Sequence, residues 1–244
     1  MSCVIKPIPI TRVKVDKSVM TYLMDFGKAI ELGTFAWAIE CSGSKVLVDT
    51  GCPADIQSGL GFPATQIHTL QDGLSRIGWD VKDIDIVILT HLHLDHIAYS
   101  SELRNSTFVI QDDELKAALN PHPAYKGFYP TKVIKELLKD LRIERVKGDK
   151  EIVKGISVMM TPGHSPGGQT VIVETHKGII ALTGFCCIKE NFEPIVKGIS
   201  ESFIVPGIHI DIVKLYESMS KIKEVADVII PIHDSSYFNI KQIP

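Results

Sequence analysis

The chain has 244 residues, 45% of them hydrophobic, with 26 basic and 29 acidic side chains and a net charge of -3. That is enough apolar material for a large core, and basic and acidic residues alternate along the length without the basic footprint that nucleic acid demands. No uninterrupted apolar run approaches the roughly 18 residues of a membrane span, and no polar or Pro/Gly/Ser-rich linker divides the chain, so residues 1–244 read as one domain.

Lys6, Pro7 and Pro9 interrupt the apolar residues of the N-terminus, which therefore does not read as a secretory leader. Five cysteines, Cys3, Cys41, Cys52, Cys186 and Cys187, form no CxxC pair and are odd in number. That argues against a disulfide framework and, with the rest, predicts a cytoplasmic protein.

In chain order, residues 34–40 and 45–48 read as paired strands around the turn Ser42-Gly43-Ser44. Residues 66–77 space Ile67, Leu70, Leu74 and Ile77 at helical intervals, with Gly78 as the stop. An apolar strand over 84–89 follows. Residues 107–110 are a further strand, 112–119 and 131–141 are helices, and 120–130, with three prolines, is the most loop-like stretch and is placed at a substrate entrance. Residues 156–160, 169–174 and 178–182 read as strands, 211–225 as a helix and 228–232 as the last buried strand.

Directly after the strand over 84–89 comes Thr90-His91-Leu92-His93-Leu94-Asp95-His96. Three imidazoles and a carboxylate in six residues make a metal site. Those ligands suit zinc and other borderline first-row ions, which activate water for hydrolysis. In an extended segment residues two apart point the same way, so His91 and His93 converge on one ion while Asp95 and His96 fall on the turn beyond. Three strands end just before a histidine, namely His91, His164 and His233, and loops at the carboxyl ends of strands in α/β folds aim side chains at one point. His68, His122 and His176 read as surface residues and His209 as structural.

The His-x-His-x-Asp-His run resembles the signature of the metallo-β-lactamase superfamily, and within it the N-acyl-homoserine lactonases. The likeness extends through Leu47-Val48-Asp49-Thr50-Gly51, Thr161-Pro162-Gly163-His164-Ser165-Pro166-Gly167, Lys189-Glu190-Asn191-Phe192-Glu193 and His233-Asp234. It implies an α/β four-layer αβ/βα sandwich, with His91, His93 and His164 binding a first ion, Asp95, His96 and His233 a second, and Asp49 supporting them from behind. It further implies one or two zinc ions, with iron or manganese as other candidates. The partners it implies are a small-molecule substrate and no nucleic acid or membrane, with a homodimer left open.

The chain departs from that family after residue 182. Where the family carries an aspartate bridging both metals, this sequence has Thr183-Gly184-Phe185-Cys186-Cys187, which puts the missing acid on Gly184 or Phe185. Two outcomes follow: a single tight three-histidine site with a weak second one, or recruitment of Cys186 as a thiolate ligand. Cys187 stands where the lactonases have an active-site tyrosine. With Phe185 it joins the candidate substrate pocket, for which Tyr99, Tyr125 and Tyr129 offer replacement hydroxyls. The expected activity is metal-dependent opening of a lactone or related carboxylic ester by metal-activated water, with Asp95 passing a proton to the leaving alkoxide. Two alternatives stand beside it, an iron-binding redox or sulfur dioxygenase-like enzyme and a non-catalytic small-molecule-binding descendant.

Overall fold

The computed structural model describes residues 3–193 and 203–244. Among these are the strands β1 (Val4–Asp16), β2 (Ala29–Cys41), β3 (Ser44–Val48), β4 (Ala64–Gln66), β5 (Ile86–Ile88), β6 (Thr107–Gln111), β7 (Arg142–Val146), β8 (Lys150–Val153), β9 (Ile156–Met160), β10 (Gln169–Thr175), β11 (Gly178–Leu182) and β12 (Val228–Ile230). The helices are α1 (Ala54–Gly59), α2 (Leu70–Arg76), α3 (Leu94–Ile97), α4 (Asp112–Leu119), α5 (Thr131–Leu137), α6 (Lys189–Phe192) and α7 (Ile212–Val225). One sheet runs β4-β1-β2-β3-β5-β6-β7 and the other β12-β11-β10-β9-β8. Both are mixed: β3, β5, β6 and β7 pair in parallel, as do β11 and β12, and the remaining pairs are antiparallel.

Side-chain alternation assigns the layers. On β2, Phe35, Trp37 and Ile39 enter a core shared with Val158, Val171, Val173, Ile180 and Leu182 of the second sheet, while Ala36 and Ala38 face the opposite way, toward the cluster that contains α2 and α4 residues. Period-two burial of this kind is what lets one strand serve two cores. The outer face of the second sheet packs Ala181 against Leu215, Met219 and Ile222 of α7. Helix, sheet, sheet and helix thus stack in the expected four layers. Gln169 stitches the sheets at the centre, its Nε2 donating to Leu89 O at 2.8 Å and its Oε1 accepting from Gln111 Nε2 at 3.0 Å.

Several boundaries differ from the sequence expectations, for local reasons. Helix α2 begins at Leu70 because Thr69 caps it, Oγ1 accepting from Asp72 N, and Gln66 belongs to β4. Helix α5 stops at Leu137, shortly before Asp140 adopts a left-handed φ of 61°. Strand β2 starts five residues earlier than expected and pairs with the whole of β1, which the sequence did not reveal. Cys3 and Cys41 lie opposite one another at the end of that ladder, with Cα atoms 4.3 Å apart, and form a disulfide. This corrects the reading from cysteine count: cross-strand register, invisible in spacing, brings the two together, and the cysteines do not decide the compartment. No helix among the described residues is long and apolar enough to cross a membrane.

Candidate metal centre

Every strand that bears on the centre delivers its residue from the carboxyl end. β3 leads to Asp49, β5 to His91 and His93, β9 to His164 and β12 to His233, while Asp95 and His96 project from α3. Positions that glycine alone tolerates aim these loops. Gly163 has φ 128°, and a Cβ there would overlap the Leu215 backbone, so α7 seats directly on the loop that carries His164.

The candidate ligands gather as two neighbouring triads, His91, His93 and His164 in one and Asp95, His96 and His233 in the other, the ligand atoms of each within 4.8 Å of one another. Four of the imidazoles are oriented through Nδ1. His164 donates to Ile208 O at 2.7 Å, His233 to Gly33 O at 2.8 Å and His96 to Asp49 Oδ2 at 2.7 Å. His91 Nδ1 lies 3.0 Å from Thr90 Oγ1, whose own proton goes to Asp49 Oδ2 at 2.8 Å, so His91 is the donor in that pair. The Nε2 atoms are left facing inward. His93 is held differently, its ring packed against Phe128 and Tyr129 at centroid distances of 5.2 and 5.1 Å.

The donor chemistry fits a cation. Burial, reinforced by the surrounding imidazoles, lowers the pKa of His91 and His93 well below the ordinary value. Burial likewise takes His164 down to about 4. These rings are therefore neutral, and with Nδ1 already donating, the Nε2 atoms of His91 and His164 present lone pairs to each other at 3.2 Å. His233 Nε2 is buried with no hydrogen-bond partner among the described residues. Converging lone pairs and an orphaned buried nitrogen are what a divalent ion would satisfy. In the second triad burial opposes charge on His96, but Asp95 and Asp49 outweigh it and raise its pKa to about 10. Burial alone would raise Asp95, yet the facing imidazoles, His96 foremost, hold it well below the carboxylate range. Its Oδ2 sits 3.2 Å from His96 Nε2 and 3.7 Å from His233 Nε2.

Both triads form the floor of a cavity of about 380 Å³. Its walls are apolar, with Val13, Val15, Val19, Met20, Leu32, Leu60, Phe62 and Ile208 among them, and His93, Asp95, His164 and His233 reach its surface. The proline-rich loop contributes Gly127, Phe128 and Pro130 to the lining. The segment after β11 differs from expectation. A Cβ on Gly184 would overlap Gln169 O, which leaves no space for an aspartate there, and Phe185 is buried against Phe192 in the α7 cluster. Of residues 183–187 only Cys186 lines the cavity. Its thiol lies 3.6 Å from Met20 Sδ, among Val13, Val15 and Leu32, outside both triads, and burial pushes its pKa well up.

The hydroxyl candidates fall elsewhere. Cys187 is fully buried beside Thr183 Oγ1. Tyr99 and Tyr129 are in the helix-side core, Tyr125 packs against it, and none of the three lines the cavity. Tyr129 instead donates to Glu114 Oε1 at 2.8 Å.

Two features escaped the sequence reading. Glu114 is fully buried, and the available signal was its helical spacing from the buried Ala117 and Ala118. The Lys-Glu-Asn-Phe-Glu segment also acquires a role. Asn191 Nδ2 donates to Met20 O and Ile204 O, both at 2.7 Å, and Glu190 pairs with the buried Lys17 at 2.7 Å, so this segment clamps the part of the cavity wall that bears Val19 and Met20.

Comparison with known proteins agrees with this architecture. The N-acyl homoserine lactonase AiiA of Bacillus thuringiensis subsp. kurstaki is 30% identical over 200 residues, spanning 76% of this chain and 77% of the relative. The crystal structure of a quorum-quenching N-acyl homoserine lactone lactonase superposes with a TM-score of 0.78 at 26% identity, covering 98% of this chain and 95% of that one. An N-acyl homoserine lactone hydrolase with the product N-hexanoyl-L-homoserine bound at its catalytic metal center gives a TM-score of 0.77 at 25% identity, over 97% and 95% of the two chains. With residues 29–184 matching its family profile, the chain belongs to the metallo-beta-lactamase superfamily, alongside the N-acyl homoserine lactonases.

Proposed function

We propose that this chain opens a lactone or a closely related carboxylic ester, with His91, His93 and His164 holding one divalent ion and Asp95, His96 and His233 a second. The observation that carries the reading is the placement of both triads at the floor of one apolar cavity. Imidazole and carboxylate donors favour zinc, with iron and manganese as alternatives. A bound divalent ion supplies Lewis acidity and lowers the pKa of water toward ~7.

The chain's own residues account for the rest. The apolar walls take up a hydrocarbon portion of the substrate and shed water from it, which orients the carbonyl toward the histidines. Asp95 is the only carboxylate on the cavity wall among the described residues. We assign it transfer of the proton from the attacking water to the ring oxygen as the acyl–oxygen bond breaks. Ring opening leaves both product halves in one molecule, which a single cavity accommodates.

The test is elemental analysis of protein purified without added metal, followed by a panel of lactones, linear esters and thioesters. Zinc with lactone opening that disappears in His91→Ala supports the reading. Iron without hydrolysis would reject it in favour of a redox enzyme, and lactone binding without turnover in metal-loaded protein would make the chain a binding descendant.

A further inference from the structure

The Glu114 carboxylate is fully buried near the start of α4, and both of its oxygens face the loops that carry the first triad. Oε1 accepts from Leu92 N at 2.9 Å, the amide between His91 and His93, and from the Tyr129 hydroxyl at 2.8 Å. Oε2 accepts from Gly167 N at 3.0 Å, three residues beyond His164. The Tyr129 ring in turn packs on His93. One carboxylate therefore bonds to the amide between His91 and His93, to the loop that carries His164, and to the hydroxyl of the tyrosine whose ring packs on His93. Gly167 permits the close approach, because a Cβ there would overlap the Glu114 backbone.

Resting on the metal assignment above, we infer that Glu114 is a positioning residue that presets the spacing of His91, His93 and His164 and thereby sets the affinity of the first triad for its ion. No ligand atom touches it. It acts by tying two loops that are distant in the chain, at Leu92 and at Gly167, into a single rigid receptor: the ligands need no rearrangement when the ion arrives. Outer groups of this kind govern metal affinity by about 10–100-fold.

Glu114→Gln isolates the effect. The amide keeps the shape and can still accept from Leu92 N and Tyr129, but it then sets an NH2 group against the Gly167 N–H, donor against donor. Chelator-stripped wild-type and variant chains would be titrated with zinc in competition with a chromophoric chelator, at a temperature where circular dichroism shows both folded. The expected result is a loss of affinity of about 10–100-fold for the tighter equivalent. Equal affinity would overturn the inference while leaving the metal assignment intact, and a wild-type chain that took up no zinc would overturn both. Should Glu114→Gln not fold, Tyr129→Phe removes a single bond to the carboxylate and keeps the ring on His93. It should weaken zinc uptake by a smaller factor in the same direction, and unchanged affinity in that folded variant would equally reject the role.

Discussion

Asp49 joins His91 to His96. Its Oδ2 accepts directly from His96 Nδ1 at 2.7 Å and, through the Thr90 hydroxyl, holds the Nδ1 proton of His91, while Oδ1 accepts from Thr90 N at 2.8 Å. A single buried carboxylate at left-handed φ thus fixes the tautomer of one ligand in each triad.

Asp49→Asn should separate the two triads functionally. The single amide oxygen can still accept from Thr90 N, but the NH2 group then opposes the His96 Nδ1–H, so the ring that gives up its Nε2 proton to an ion no longer has an acceptor for the proton it keeps. We expect the second metal equivalent to weaken by about 10–100-fold and the first to be affected less, because Thr90 buffers His91. Zinc stoichiometry at rising chelator concentration reads this, and parallel loss of both equivalents would contradict it.

The opposed pKa shifts predict a stability maximum for the metal-free chain. His164 is lowered to about 4 in the fold, so between that value and its ordinary 6.5 the unfolded chain binds more protons, and stability falls as pH drops through this window. His96 is raised to about 10, so its contribution is complete below 6.5 and is lost as pH climbs toward 10. Urea unfolding of chelated protein, followed from acid to alkaline pH across both windows, should therefore peak at about 6.5. A monotonic profile would show that the imidazoles are not held as described.

How far the sequence disclosed this molecule depends on whether the signal was local. The strands β9 and β11 and helix α4 have the bounds expected from their apolar periodicity, and the two triads hold the residues that the motif and its resemblance named. Strand β1 was missed because Pro7 and Pro9 argue against a ladder. The register explains their tolerance: β4 pairs only with Thr11–Val13, so the prolines lie where that side of β1 is an open edge. The partners of Glu114 and Asn191 and the pairing of Cys3 with Cys41 could not be read for a different reason, since each joins residues distant in the chain. The orientation of residues 183–187 belongs to the same class, because Gln169 and α7 decide which side chain turns inward.

Cys186→Ala tests the thiolate alternative directly. The thiol sits in an apolar wall beside Met20 and stays protonated, so its removal should leave metal content unchanged and enlarge the cavity by about one heavy atom. The expected kinetic signature is a modest change in KM with kcat retained. Loss of a metal equivalent would restore Cys186 as a ligand.

Lys17→Met addresses the clamp on the cavity wall. Lys17 is buried, and although burial opposes its charge, Glu190 and Asp25 at 2.7 and 2.9 Å more than compensate and raise its pKa. Methionine fills most of the same space but strands Glu190 and leaves Asp25 with only Lys28 at 3.7 Å and the Thr21 hydroxyl at 3.4 Å. Because the two carboxylates remain about a fifth to a quarter exposed, at 19% and 24%, the penalty is that of a half-buried pair, on the order of 1–3 kcal/mol. The consequence reaches the substrate through Val19 and Met20, which would then be tied to the rest of the fold by Asn191 and by the Ile208 amide on Val19 O, without the ion pair. A wall that fluctuates loses hydrophobic contact with a long acyl group in ground and transition states alike, so KM should rise with acyl length while kcat and zinc content stay near wild type. A homologous series of acyl esters measures this, and the double variant Lys17→Met with Glu190→Gln should recover part of the lost stability because one stranded charge is gone. A uniform fall in kcat across the series, with KM constant, would instead assign the clamp to the catalytic floor.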